Sequence, residues 1–586
     1  MRESSHQGQF PFLACIGIIA MLSTVLHLAV AAFPLGTFNA DEASYGIMAR
    51  DMLQGVHFPI FAYGREAYAA SLPSLLAVPW LALLGENSIS ALRINSALLY
   101  GLFLFLNGVF VRRIWGARAA VFSALFLCVP PIELFIFTSR IPHAVPFFLC
   151  LCMMAYLLLF SKKPLGLPRL FAIGVLAGLC LWIIPSSLVF FLAAIPGFLL
   201  QSEEWRKIRK APVSHPVAYD YAFVSAFYVM LFVILHAIWE GRQGPLIVCI
   251  AIGVVVLFLV STRKARVLQT ICSLLGGLVA GGSPILFARV VQGIVPHSGY
   301  LPKPPDLQRF VAFLTKLLPA FVGADPLLMQ SPHSRVFPLS LLFLLFVLVG
   351  MACWRERRTL RDLLCLRPLT EAQKPFALLI GLAFLPLIAM VGIPTIEPGM
   401  LRYVVGTWYA AAIMAGIGCS LCFTRVRAPL LVLCLVLWIM VASFNARQNI
   451  LMAWSDPLPT GAMERLGNAL SQEGITIGYA DYWLSTNATF LANGKYSLAS
   501  YTTERVEEAA SLAANADEFA VVLSLYFYGA LPHDGPRKED LLELLRQRQS
   551  PAATIKRISE ADLLRRVEAE EWDIWIFKTW KHLTEK

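Results

Sequence analysis

Apolar residues along this chain come in blocks of about twenty, separated by short polar segments. A helix of about twenty apolar residues is long enough to cross the ~30 Å hydrocarbon core of a membrane. The pattern therefore predicts an α-helical polytopic membrane protein. The predicted spans are 12–33, 88–111, 119–138, 144–160, 217–238, 244–261, 267–290, 336–353, 375–393, 404–423 and 428–445.

One further apolar stretch, 170–200, has basic residues on both sides and Pro185-Ser186-Ser187 in its middle. Proline disfavours a continuous helix at such a point. We therefore predict two short helices that enter the membrane and return, which brings the total to about thirteen helices.

Clusters of lysine and arginine follow alternate spans, as they do in the cytoplasmic loops of membrane proteins. We therefore expect a cytoplasmic N-terminus, with span 12–33 uncleaved, in a bacterial inner membrane. Three polar segments then lie on the extracytoplasmic side: a first loop at 34–87, a second large loop at 291–335, and the tail from residue 446.

The chain is accordingly predicted to have a transmembrane domain at 1–445 and a C-terminal extracytoplasmic domain at 446–586. The tail mixes strand-like runs with charged helix-like runs, which is typical of a small α/β domain. In the second loop, 307–321 is predicted to form a helix on the membrane surface, either as a gate over the donor site or as a packed connector.

Composition agrees with the membrane prediction, since 58% of the residues are hydrophobic and only 15% are charged. The net charge is +11, but its placement between spans indicates orientation and argues against a nucleic-acid partner. All twelve cysteines precede residue 435, mostly within apolar blocks. We therefore expect small buried side chains and no disulfide framework.

The candidate chemistry lies in the first loop, where Asp41-Glu42 follows directly after the first span. Two carboxylates so close to the bilayer surface are either solvated or placed for catalysis. Asn39 or Asp41 could instead cap a helix. The apolar spacing from Tyr45 to Leu53 predicts a helix that lies along the membrane interface, and a second apolar helix is predicted at 72–84.

The order of these elements resembles the first outer loop of GT-C class membrane glycosyltransferases. The pattern is similar to the glycosyltransferase family 39-like group of protein O-mannosyltransferases and aminoarabinose transferases. The matching residues are Asp41-Glu42, a turn at Gly64 to Tyr68 that is one residue longer than the group's, Leu84-Gly85 and Ala91-Leu92-Arg93. Weaker similarity is present at Arg402-Tyr403 and in the tail near Gly478 to Trp483.

The resemblance implies a polyprenyl-phosphate sugar as donor and a hydroxyl of a lipid, glycan or protein as acceptor. Transfer would invert the sugar, with Asp41 as the base and Glu42 holding either Asp41 or the acceptor. The donor phosphate needs cationic partners. By topology or resemblance, the candidates are Arg140, His143, Arg289, Lys303 and Arg402.

We also expect a set of side chains from the first loop and from the start of span 404–423 to contact substrate. These residues are Tyr45, Arg65, Glu66, Tyr68 and Tyr403. His27 and His236 lie inside spans and are expected to be satisfied within the bundle. No cofactor is implied with certainty, and a divalent metal ion stays open.

Three other functions fit parts of the pattern. A transporter or flippase would need charges along the spans or inverted repeats, and the spans have few charges and no visible repeat. A membrane scaffold leaves the first-loop pattern unexplained. Transfer of another lipid-linked group stays open within the enzyme class.

Overall fold

The computed structural model describes the N-terminal third of the chain almost continuously and the remainder in separate segments. The described residues are 9–32, 38–63, 70–130, 132–141, 144–161, 166–184, 187–199, 265–284, 311, 332–365, 367, 369–391, 404–425, 458–480, 482–500, 512, 516, 518–524, 563–569 and 572–578.

The described part is mainly α-helical. Its helices are α1 (Gln9–Ala32), α2 (Ala40–Leu53), α3 (Leu72–Leu84), α4 (Ile89–Trp115), α5 (Ala117–Cys128), α6 (Ile132–Ser139), α7 (Val145–Leu159), α8 (Leu167–Ile183), α9 (Leu188–Leu199), α10 (Ala265–Gly281), α11 (Pro332–Arg355), α12 (Arg357–Leu364), α13 (Lys374–Val391), α14 (Val405–Arg425), α15 (Leu458–Gln472) and α16 (Tyr482–Leu491).

Within the described residues, three helices are long and apolar enough to cross a membrane. They contain Pro11–Ala29, Ile89–Trp115 and Val405–Cys422. Shorter apolar helices pack with them, and the chain is an integral membrane protein. The predicted spans at 217–238, 244–261 and 428–445 lie outside the described residues, so the count of about thirteen helices stays a prediction.

Proline divides the apolar blocks, as expected in one place and unexpectedly in another. The stretch 170–200 forms two helices, α8 and α9, separated at 184–187 as the sequence predicts. The single span predicted at 119–138 is wrong, because the structure has α5 ending at Cys128 and α6 beginning at Ile132. The reason is Pro130-Pro131, where the helix loses amide donors and meets steric clashes.

Glycines allow α8 and α10 to lie in backbone contact. A Cβ added to Gly174 would lie 2.2 Å from the carbonyl oxygen of Leu274, and one added to Gly178 would lie 2.4 Å from that of Leu278. On the other helix, Gly277 and Gly281 meet the backbone of α8 at 2.1 Å in the same way. Small residues four apart on both helices permit such close packing in membranes.

A buried polar group joins α1 to α4 and α6. The imidazole of His27 is fully enclosed; its Nδ1 lies 2.8 Å from the Ser23 carbonyl oxygen and its Nε2 lies 3.0 Å from the Thr138 hydroxyl. The ring also lies 4.5 Å from Tyr100 and 4.3 Å from Phe135, between ring centroids. His27 is therefore satisfied within the bundle, as the sequence predicts.

The described part of the tail contains a five-stranded mixed sheet. Its strands are β1 (Ile477–Ala480), β2 (Ser497–Ser500), β3 (Glu518–Ser524), β4 (Leu563–Ala569) and β5 (Trp572–Lys578). Their order is β2-β1-β3-β5-β4. β1 runs parallel to β2 and β3, whereas β5 is antiparallel to β3 and β4. Helix α16 connects β1 to β2 and packs its apolar residues on the sheet.

Candidate active site

The carboxylate pair lies at the start of a well-defined helix. Asn39 has extended backbone angles, with φ −140° and ψ 168°, and its side-chain oxygen accepts the Glu42 amide at 3.0 Å. Asn39 is therefore the N-cap, and the alternative of Asp41 as the cap is wrong. The helix begins at Ala40, as a cap at Asn39 requires, and so includes residues before the apolar stretch that starts at Tyr45. Both carboxylates thus lie in the first turn, where the helix dipole favours negative charge.

Glu42 forms a buried two-point ion pair with Arg93 at the start of α4. Arg93 Nε lies 2.8 Å from one carboxylate oxygen, and Nη2 lies 2.6 Å from the other. Both side chains are completely excluded from solvent. A guanidinium matches a carboxylate in this geometry better than an ammonium does. The pair therefore fixes the beginning of α2 against the first membrane-length helix that follows it.

Asp41 differs from Glu42 in its environment. It retains 8% of its surface in contact with solvent, whereas Glu42 retains none. Its backbone carbonyl accepts a hydrogen bond of 2.8 Å from the Ser44 hydroxyl. Of these two adjacent carboxylate residues, Glu42 is therefore fully enclosed, whereas Asp41 is buried but keeps a small exposed fraction.

Helix α2 is also held by α3 and by Tyr63 in the segment between α2 and α3. Tyr45 is 1% exposed, and its backbone carbonyl accepts from the Ser74 hydroxyl at 2.9 Å. Tyr63 donates to Asp51 at 2.7 Å near the end of the same helix. The role of Tyr45 in substrate binding stays a prediction, and its burial favours a packing role.

The predicted phosphate-binding segment at the end of α6 also reaches this region. Arg140 is half-buried, and its amide donates to the Ile136 carbonyl at 3.2 Å, which ends the helix. The next residue, Ile141, packs in the same apolar cluster as Phe38 and Ala43. The structure therefore brings the chain at Arg140 beside the helix that carries Asp41.

The other predicted site residues lie outside the described residues. They are His143, Arg289, Lys303 and Arg402 for the donor phosphate, and Arg65, Glu66, Tyr68 and Tyr403 for substrate. Within the described part of the chain, no group of three or more His, Cys, Asp or Glu residues is arranged to hold a metal ion. A divalent metal ion therefore stays an open prediction.

A small apolar cavity of about 10 Å³ lies among α4, α5, α6, α7 and α14. Its lining residues are Tyr100, Phe103, Leu127, Pro130, Leu134, Thr138, Leu149, Val405, Trp408 and Tyr409. Neither Asp41 nor Glu42 contributes to it.

Sequence reasoning placed Arg93 only in the Ala91-Leu92-Arg93 motif and missed its contact with Glu42. A signal was available, because an arginine among the first apolar residues of a membrane helix needs a partner. Which carboxylate forms the pair depends on packing between residues 51 positions apart.

Comparison with known proteins supports the resemblance noted in the first loop. A model of the dolichyl-phosphate-mannose-protein mannosyltransferase family matches residues 73–239, less than a third of the chain. This match contains Arg93 and Arg140 but begins after the carboxylate pair. It confirms the resemblance of this stretch to GT-C class membrane glycosyltransferases. No curated protein sequence matches the chain.

Solved structures of low sequence identity are also similar. ArnT from Cupriavidus metallidurans in the apo state is 12% identical, with a TM-score of 0.48, and the match covers 96% of this chain and 98% of that one. The same protein bound to undecaprenyl phosphate matches with 12% identity, a TM-score of 0.47, and coverage of 95% and 97%. The oligosaccharyltransferase of Archaeoglobus fulgidus matches with 12% identity, a TM-score of 0.48, and coverage of 88% and 70%.

Proposed function

We propose that this protein is a membrane glycosyltransferase that moves a sugar from a polyprenyl-phosphate donor to an acceptor hydroxyl. The observation that carries the proposal is the difference between the two neighbouring carboxylates. Glu42 is enclosed and held at both oxygens by Arg93, whereas Asp41 at the same helix start is buried but keeps a small exposed fraction. The family match to dolichyl-phosphate-mannose-dependent transferases supports a lipid-phosphate donor.

In this proposal, the acceptor oxygen attacks the anomeric carbon opposite the phosphate. The bond between that carbon and the phosphate oxygen breaks, and both electrons leave with the polyprenyl phosphate. Asp41 takes the proton of the acceptor hydroxyl. One displacement inverts the configuration, and a second catalytic carboxylate is not required because a phosphate leaves without being protonated.

Glu42 acts in this scheme as a positioning residue. Its buried pair with Arg93 fixes the first turn of α2 and so orients Asp41. Arg140 contributes positive charge toward the donor phosphate, since its segment packs beside α2. The reaction takes place on the extracytoplasmic face of a bacterial inner membrane, with a lipid, glycan or protein as acceptor.

The test uses purified protein in detergent and radiolabelled polyprenyl-phosphate sugars. We expect release of polyprenyl phosphate by the wild type and loss of this release in Asp41→Asn. Asp51→Asn is a matched control on the same helix, because an asparagine oxygen still accepts from Tyr63. Equal release by Asp41→Asn and wild type would refute the role of Asp41. No release from any donor and acceptor by folded wild-type protein would refute sugar transfer.

A further inference from the structure

The tail touches the candidate active site through one helix. Helix α16 packs against α2, which carries Asp41 and Glu42. Phe490, near the end of α16, is completely buried and belongs to the apolar cluster formed by the first loop. Its side chain is therefore part of the first-loop core, although its backbone belongs to the tail.

Phe490 contacts the chain on both sides of the carboxylate pair. Its ring centroid lies 5.7 Å from that of Phe38, the residue before the Asn39 N-cap. The ring also lies on the backbone of α2 at Gly46, where an added Cβ would meet three of its carbon atoms at 2.5, 2.8 and 2.9 Å. One aromatic side chain thus contacts one residue before and one residue after the carboxylate pair.

The position of Phe490 is fixed from the tail side. The neighbouring Thr489 hydroxyl accepts the Leu498 amide of β2 at 2.9 Å and lies 3.2 Å from the Leu498 carbonyl oxygen. Ala488 packs in the apolar core of the sheet. At the end of α16, the Leu491 carbonyl accepts from the Asn87 side chain at 3.4 Å, just before α4 begins. The contact therefore joins three ordered elements: the sheet, α2 and the α3–α4 turn.

We infer that Phe490 is a positioning residue: the tail docks on α2 through this side chain and holds the helix start that presents Asp41. The inference rests on the proposed function for its catalytic part, whereas the docking stands on the contacts alone. It also places the described part of the tail on the same membrane face as the first loop. Loss of the ring is expected to loosen α2 without removing any group that touches substrate.

The first test is a size exchange between the two contacting residues. We expect Gly46→Ala and Phe490→Leu each to lower kcat about tenfold with little change in the donor KM. The double variant should recover kcat relative to Gly46→Ala, because the smaller side chain makes room for the new methyl group. Gly17→Ala and Phe58→Leu are controls, because Gly17 has open space around its Cβ position and Phe58 is 64% exposed.

The second test measures docking without activity. In Phe490→Ala and Phe490→Leu, amide hydrogen exchange at 40–49 should be faster than in the wild type, while exchange in α10 stays unchanged. Wild-type exchange at 40–49 in both variants would overturn the docking. Faster exchange with unchanged kcat would overturn the positioning role alone. If the exchange result holds but wild-type protein transfers no sugar, docking stands and the proposed function fails.

Discussion

Replacing Arg93 with glutamine tests how the first loop is held together. The change removes both hydrogen bonds to Glu42 and leaves a carboxylate with no exposure to solvent and without its guanidinium partner. Breaking a buried ion pair from one side costs about 3–5 kcal/mol, because the remaining charge keeps its desolvation penalty. Arg93→Lys keeps the positive charge but cannot form the two parallel hydrogen bonds of a guanidinium. We therefore expect it to lower the free energy of unfolding by less than Arg93→Gln does.

The same reasoning predicts strong coupling between the two residues. Glu42→Gln leaves the guanidinium unpaired and should also be costly. In Glu42→Gln/Arg93→Gln, two neutral amides replace two charges. We expect the double variant to lose about 2–3 kcal/mol less free energy of unfolding than the sum of the two single variants.

The measurement is the free energy of unfolding in mixed detergent and dodecyl sulfate micelles, followed by tryptophan fluorescence. Arg113→Gln is the matched control, since Arg113 lies on the same helix, is exposed, and bonds only a backbone carbonyl of α7 in the contacts described. We expect this control to stay within about 0.5 kcal/mol of the wild type. An equally small loss in Arg93→Gln, or strict additivity in the double variant, would refute the reasoning.

Two further predictions concern regions away from the site. Gly178→Ala should destabilise the protein by about 1–3 kcal/mol through overpacking, because its new Cβ would lie 2.4 Å from a backbone oxygen of α10. Gly350→Ala is the control and should leave the free energy of unfolding unchanged, because Gly350 has open space around its Cβ position. Equal unfolding curves for the two variants would contradict the α8–α10 contact. Burial raises the pKa of the Tyr496 hydroxyl above its ordinary value of about 10, so the folded state favours the protonated form. Its contribution to stability should be present below pH ~10 and be lost as pH rises further. The pH dependence of unfolding in wild type against Tyr496→Phe measures this, and identical alkaline slopes would contradict it.

Local features of the fold could be predicted from the sequence because they depend on neighbouring residues. The lengths of the apolar blocks predicted the first span and the helix at 72–84, and Pro185 predicted the break between α8 and α9. The break at Pro130 was missed, since the apolar pattern continues across it. The start of α2 at Ala40 could be predicted only as one of two alternatives, because Asn39 and Asp41 are both residue types that cap helices, and the apolar spacing marks only Tyr45–Leu53.

The site could be predicted only in part, for a physical reason. A single sequence is enough to identify two adjacent carboxylates after a membrane span and an arginine near the start of the next span. The Glu42–Arg93 pair depends on how α2 packs against α4, and the Phe490–Gly46 contact joins residues from opposite ends of the chain. Periodicity and residue type carry no information about such distant partners.

The central claim is that Asp41 takes the proton when sugar leaves a polyprenyl phosphate. It is tested most directly by measuring donor binding and the single-turnover rate of sugar transfer in wild type and Asp41→Asn. We predict unchanged donor affinity and a rate about 100- to 10,000-fold lower in the variant, the usual contribution of a general base. A wild-type rate of transfer in folded Asp41→Asn that binds donor normally would contradict the account.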